Sequence, residues 1–284
     1  MLKTKIFVGY YKPNFIFKSD VFQPILTSDA NEDWDCDDLI KDKTGINIAD
    51  KNKYYGELSG HYWVWKNFLP TTDVDYIGFC HYRRFLDFGI TPTPKVPFKP
   101  MFEKEFKKTF KKYTEKKITE CIDGYDIILP YKMTFKSILY SQYLKWHPQD
   151  EMNFALNIIR DNYPEYIEAA KTVMGSKKMY ICLNFIMKKE LFNEYMEWMF
   201  GIFTELENRT DVTKYVDYAQ VRTPAFIAER FFNIWLEHVV KTRNLKVLET
   251  TSVFILGEDY GKVDPQAYID KYDYYTSLFA NSGK

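Results

Sequence analysis

The chain has 284 residues, 46% hydrophobic and 18% aromatic, enough for one large α/β domain or two small ones around a sizeable core. Its 39 basic and 39 acidic side chains cancel, which argues against a dedicated nucleic-acid binder, and the many aromatics argue against disorder. A charged fraction of 27% and a mean hydropathy of −0.40 fit a soluble globular protein.

The elements alternate between strand and helix. Lys5 to Tyr10 reads as a buried first strand, short and rich in β-branched and aromatic residues, and Gly9 lets backbone or ligand approach at its end. Phe22 to Thr27 is a second strand, with Pro24 marking an edge or a strand start. The acidic stretch from Ser28 to Lys43 reads as a solvated loop, because it lacks regular metal-ligand spacing. Asn47 or Asp50 would cap a helix running to about Asn67. On that helix Tyr54, Leu58, His61, Tyr62 and Trp65 make one apolar face, Glu57 and His61 are neighbours, and the Lys51–Asn52 end suits an anion.

Asp75 to Phe88, DYIGFCHYRRFLDF, is the most informative segment. Its apolar strand, Tyr76 to Cys80, runs straight into His81, Tyr82, Arg83 and Arg84. Arginine keeps its charge and presents a planar fork of donors that matches phosphate. Ligands of open α/β sheets bind beyond the carboxyl ends of the strands. The cluster therefore reads as a phosphate clamp; its structural alternative pairs one arginine with a carboxylate such as Asp87. Asp73 and Asp75 form a DxD, but before the strand rather than at its exit, and read as a loop or strand cap.

Thr91 to Pro100 holds four of the twelve prolines and reads as an extended loop or lid. Phe102 to Lys117 follows as a basic amphipathic helix that either touches an anionic membrane surface or turns its lysines to water. Tyr125 to Pro130 is another buried strand. Ser137 to Ile159 reads as a helix interrupted near His147-Pro148, and a second helix starts at Pro164 and runs to Met174. Met179 to Met187 reads as a strand with Asn184 inside it. Lys188 to Glu207 and Ala225 to Thr242 are long helices, Leu245 to Ile255 is a final strand, and the tail from Asp264 is polar and aromatic. The alternation predicts an α/β fold with a mixed, mainly parallel sheet flanked by helices.

Four cysteines, at 36, 80, 121 and 182, show no CxxC spacing, so metal and redox motifs are unsupported. Phosphate-loop, GxGxxG, GxSxG and HExxH patterns are absent from the sequence. The amino-terminal apolar run is too short for a signal peptide, and no stretch approaches a transmembrane helix, so a cytoplasmic protein is expected. Cations stand at the strand exit where a carboxylate–metal pair would hold a sugar nucleotide. Fixed positive charge of either kind stabilises a departing diphosphate.

The segments IFVGYYKP, GINIADKN, YGELSGHYWVWKN, DYIGFCHYRRF, YDIILP, LNFIM and RTPAFIAERFFNIWL occur in this order, from about Ile6 to Leu236. Together they resemble a family of bacterial capsule and exopolysaccharide glycosyltransferases long filed as a domain of unknown function. The resemblance implies a single GT-A-like (Rossmann-like) domain. Residues 1–135 would be its nucleotide-sugar half, 136–260 its acceptor half and 261–284 a tail. It implies an inverting transfer of a hexose, galactofuranose or galactose favoured, from a UDP-sugar to a lipid-linked oligosaccharide. The two arginines at the strand exit favour a reaction without a metal cofactor, with a divalent cation as the alternative. Transferred to this chain, Gly9 and Tyr10 would lie beside the base, Lys51 and Asn52 would touch the donor, and His81, Arg83 and Arg84 would hold the diphosphate.

Glu229 is the expected base and Glu57 its alternate; a base must first be near the acceptor hydroxyl. The structural alternatives are a Glu229 ion pair with Arg230 or Arg222, and a Glu57 contact with His61 or Lys53. His147, Asn184 and Arg222 are the acceptor-side candidates. Peripheral contact at the inner face of the cell membrane would run through Phe102 to Lys117, and no nucleic-acid partner is expected. Two other classes fit less of the sequence: a glycoside hydrolase with paired carboxylates, and a non-catalytic saccharide-binding or scaffold module.

Overall fold

The central strands of this chain are short apolar runs that bury both faces, and helices cover each side. The computed structural model describes residues 2–27, 34, 39–91 and 95–257. The strands are β1 (Thr4–Tyr10), β2 (Phe22–Leu26), β3 (Ile40–Lys41), β4 (Tyr76–His81), β5 (Arg84–Leu86), β6 (Phe98–Phe102), β7 (Ile127–Pro130), β8 (Met133–Thr134), β9 (Lys178–Met179), β10 (Phe185–Lys188), β11 (Val247–Thr250) and β12 (Ser252–Leu256). The helices are α1 (Asn52–Tyr55), α2 (Leu58–Trp63), α3 (Glu103–Phe110), α4 (Glu115–Ile122), α5 (Leu139–Leu144), α6 (Gln149–Asn162), α7 (Ile167–Met174), α8 (Lys189–Arg209), α9 (Tyr218–Val221) and α10 (Thr223–Arg243).

The main sheet runs β11-β7-β10-β4-β1-β2-β3, and a branch through β5 carries β12 and β6. β1 pairs in parallel with β2 and β4, β2 with β3, β7 with β11 and β6 with β12. β10 is antiparallel to both β4 and β7. The sheet is thus mixed and mainly parallel, as the strand–helix alternation predicts.

Side chains alternate between the two faces. Phe7, Ile77, Phe79, Ile127, Phe185 and Met187 enter one core with α1, α2, α5 to α8 and α10. Ile6, Val8, Tyr10, Tyr76, Cys80, Ile128 and Ile186 enter the other, beside Phe85, Met101, Phe106 and Ile118. A strand buried on both faces must be apolar almost throughout, which is why these runs read so plainly.

Four expected elements are divided. The helix expected up to Asn67 is broken at Gly56, which takes φ +55, and Asn52 Nδ2 bonds the Gly56 carbonyl and the Ser59 hydroxyl across the break. A π-turn, Val64–Phe68, follows α2. The basic helix is two helices: the Thr114 hydroxyl accepts the Lys117 N–H and restarts the chain as α4. The strand expected over Met179 to Met187 leaves the sheet, because Cys182 and Leu183 take left-handed conformations at φ +65 and +43. The final strand is two strands, separated at Thr251, whose carbonyl accepts the Asp87 N–H; β11 lies on β7 and β12 on β5 and β6. Asp75 caps the strand entry by accepting the Lys3 N–H at 2.7 Å, and Asp73 pairs with the Lys3 ammonium.

The acidic stretch lies largely outside the described residues and the tail from Asp264 wholly outside them. Of the segment expected as an extended loop or lid, residues 92–94 lie outside them, and Phe98 to Pro100 instead open β6, paired in parallel with β12. Among the described residues no helix is long and apolar enough to cross a membrane.

Gly78, at the centre of β4, has no room for a side chain: a Cβ would lie 2.6 Å from Ile186 Cγ1 and 3.1 Å from the Phe185 carbonyl oxygen. Gly78→Ala is expected to lower unfolding stability by about 1–3 kcal/mol through overpacking, read as a lower denaturant midpoint with an unchanged slope.

Candidate active site

The carboxyl ends of β1 and β4 lie side by side, because Gly9 is in register with His81. β4 turns through Tyr82 and Arg83 into β5, which returns antiparallel with Arg84 opposite His81. Residues directly opposite on an antiparallel pair share a face, so the four-residue cluster puts His81 and Arg84 together. Arg83 occupies the turn, where its guanidinium lies 5.2 Å from the Tyr82 ring centroid and 5.7 Å from that of Phe254.

Beyond these strand ends lies a cleft of about 450 Å³. Gly9, Asn52, Glu57, His81, Arg84, Arg222 and Glu229 line it. These come from β1, α1 and the break that follows it, β4, β5, and α10 with the residue that precedes it, so distant stretches of sequence meet at one place. Glu57 stands between two cleft partners: Oε1 is 3.9 Å from His81 Nε2 and Oε2 is 3.7 Å from Arg222 Nη2. Gly56 allows this approach, since a Cβ there would sit 2.9 Å from Arg222 Nη2.

The turn before β10 joins the remaining groups. The Cys182 N–H donates to Glu229 Oε1 at 2.8 Å, and the Cys182 carbonyl lies 2.7 Å from His81 Nε2. Burial, and then the charge of Arg84, push the His81 pKa down to about 3. The ring is therefore neutral at pH 7, donates its Nε2 proton to Cys182 and keeps Nδ1 as an acceptor. The Glu229 carboxyl is pushed above its ordinary value by burial first and the Glu57 charge second, against Arg230, the Cys182 N–H and Arg84. Burial also pushes the Cys182 thiol up to about 12, so it is no nucleophile at neutral pH. Arg230 turns away from the cleft: it is buried, bonds the Phe226 carbonyl and Gln142, and lies over the Tyr143 ring.

Other expected site residues lie elsewhere. The Tyr10 ring is buried, and its hydroxyl accepts the Phe17 N–H and donates to the Phe15 carbonyl, because strand alternation turns it into the core. Lys51 binds both Glu207 oxygens, at 2.9 and 2.8 Å, and borders a separate open cavity. Arg83 is held over aromatic rings in the hairpin turn. His147 stacks on Phe226 with centroids 4.0 Å apart. Asn184 is buried, and its Nδ2 reaches the Arg84 carbonyl at 3.4 Å. Asp87, the carboxylate that offered an alternative partner for the arginines, accepts the Thr91 N–H and hydroxyl.

Tyr11, Thr27, Lys53, Gly56, Cys182 and Val221 complete the lining and were not among the expected site residues. Gly56 carried a usable signal as a glycine amid helix-forming residues. Cys182 carried none, since it contributes backbone groups.

A polar cleft of cations and carboxylates beyond the ends of parallel strands defines a ligand-binding α/β protein of the open-sheet class. The chain belongs to the family described as a domain of unknown function, DUF4422, whose match covers residues 5–241. No curated protein matches it. The fold is similar to the apo structure of the WbbM bifunctional glycosyltransferase, with a TM-score of 0.78 and 32% identity. The likeness covers 89% of this chain and 45% of that one, so this chain spans less than half of its length.

His81 titrates with a folded pKa of about 3 against an ordinary 6.5. Between these values the unfolded chain binds the extra proton, so stability is present above pH 6.5 and is lost as pH falls toward 3. Buried His61 has the same sign. His81→Gln, which keeps a donor for Cys182, is expected to lose less stability than the parent over this window. Parallel slopes of urea-derived stability against pH would contradict the assignment.

Proposed function

We propose that this chain is an inverting glycosyltransferase that passes a hexose from a UDP-sugar to a saccharide acceptor. The observation that carries the reading is that Arg84 and Arg222 share one cleft with Glu57 and Glu229, beyond the carboxyl ends of β1 and β4. The name of the similar protein, a bifunctional glycosyltransferase, agrees with it.

In this reaction the acceptor oxygen attacks the anomeric carbon as its proton passes to a carboxylate. The bond from that carbon to the diphosphate oxygen breaks, and the leaving diphosphate takes the electron pair. Displacement on one face inverts the anomeric centre. Guanidinium groups aimed at the departing oxygens stabilise charge that develops in the transition state, without a metal ion among the requirements. Glu229 is the proposed base. A carboxyl raised by burial is the stronger base once ionised, and its Oε1 bond to the Cys182 N–H orients it. Glu57, beside Arg222 and His81, would hold the arginine fork toward the donor.

Galactofuranose or galactose is the favoured sugar, and a lipid-linked oligosaccharide the favoured acceptor, in capsule, exopolysaccharide or O-antigen synthesis on the cytoplasmic side. The lysine-rich face of α3 and α4, with Phe102 exposed beside it, suits peripheral contact with anionic lipid.

UDP is expected to raise the melting temperature, and Arg84→Ala to weaken that shift while leaving the unliganded fold intact. An unchanged UDP titration in Arg84→Ala removes this residue from the donor site. Glu229→Gln is expected to lower kcat on the order of 10²–10⁴-fold with donor affinity retained. Transfer is expected to continue in excess chelator; activity lost on chelation and restored by manganese would contradict the role given to the arginines.

A further inference from the structure

Asn233 stands one helical turn beyond Glu229 on α10 and is buried, with 4% of its surface exposed. A buried amide on a long helix needs partners for an acceptor oxygen and two donor hydrogens. Its Oδ1 accepts the Tyr180 N–H at 2.8 Å. Its Nδ2 donates to the Tyr180 carbonyl at 2.8 Å and to the Glu229 carbonyl at 2.7 Å. Tyr180 is thus held on both of its backbone polar groups, as it would be by a neighbouring strand, although it lies between β9 and β10 and belongs to neither. Two residues later the chain reaches Cys182, the first of two consecutive left-handed non-glycine residues. Such conformations are costly for residues with a Cβ and persist only where the surroundings hold them. The peptide groups of Cys182 then meet Glu229 and His81.

We propose that Asn233 is a positioning residue of the active site: by clamping Tyr180 it fixes the left-handed turn through which Cys182 aligns the Glu229 carboxylate with the His81 ring. The inference rests on the transferase reading for its catalytic consequence, but the clamp itself is a physical claim that can be tested without a substrate. Asn233 touches no reacting atom. It acts through two backbone groups, and α10 supplies both the carboxylate and the clamp that orients it, so their spacing is set by a single turn of helix.

The test uses Asn233→Ser and Asn233→Ala in the full chain. Imidazole nitrogen NMR, with the His81 signals assigned by their loss in His81→Gln, reports which ring nitrogen carries the proton. The parent is expected to show a slowly exchanging Nε2 proton on His81, and both variants to lose it. With UDP-galactose or UDP-galactofuranose, whichever the parent turns over, kcat is expected to fall on the order of 100-fold while the donor KM stays within twofold. The acid limb of the kcat profile is expected to move to higher pH, because the Cys182 N–H no longer favours the ionised Glu229.

A merely structural residue would scale activity equally at every pH. Unchanged His81 signals in a folded variant overturn the proposal, as does a loss confined to KM. Should both variants fail to fold, the parent decides: a Tyr180 amide protected from hydrogen exchange supports the clamp, and one exchanging like free chain overturns it. A parent that transfers no sugar yet shows the His81 change refutes the reaction and leaves the clamp standing.

Discussion

The arrangement of this cleft depends on one residue that contributes backbone. The N–H of Cys182 holds Glu229 and its carbonyl holds His81. These two groups belong to α10 and β4, which are far apart in sequence and could otherwise settle independently. The two groups belong to adjacent peptide planes whose relative orientation is set by the backbone dihedrals of Cys182, so joining both partners to this residue ties their separation to its left-handed conformation. The left-handed pair Cys182–Leu183 is the strained element that makes the link possible.

Electrostatics follow from that geometry. Two carboxylates and two guanidinium groups share a partly enclosed space, so each charge is set by its neighbours. Burial and then Glu57 raise Glu229, and burial followed by Arg84 and Arg222 keeps His81 neutral. A neutral imidazole beside arginines does not compete for the same anion. It donates one proton to a carbonyl and leaves its other nitrogen as an acceptor. Positive charge in the cleft is thereby carried by the guanidinium groups, which keep it at any working pH, and by Lys53 rather than by the imidazole.

The sheet accounts for the site's position. β1 and β4 are central and parallel, so their carboxyl ends open on the same side, and β10, antiparallel between β4 and β7, brings its preceding turn to that side as well. The tight return of β4 into β5 folds Arg84 back beside His81. The break at Gly56 does the same for Glu57 by ending α1 where the carboxylate faces Arg222.

Strands buried on both faces, such as Tyr76–His81, and long helices such as Thr223–Arg243 were legible in the sequence, because burial on a regular backbone imposes a periodic apolar pattern that local reading detects. Seven residues expected at the site, Gly9, Asn52, Glu57, His81, Arg84, Arg222 and Glu229, line one cleft; the His-Tyr-Arg-Arg run stood out by residue type at a strand end, and Gly9 and Asn52 took their donor roles from the family resemblance. Tertiary contacts decided the rest. A strand pattern over Met179 to Met187 could not reveal that Asn233 and Glu229 draw its first half out of the sheet, since the competing hydrogen bonds come from a helix about 50 residues away. Tyr10, Lys51 and His147 carry suitable chemistry but turn toward the core, toward Glu207 and toward Phe226, and a side chain's direction is set by its packing partners. Residue type and periodicity determined the elements and most of the chemistry; the direction of each group, and the backbone link that aligns two of them, existed only once the chain had closed on itself.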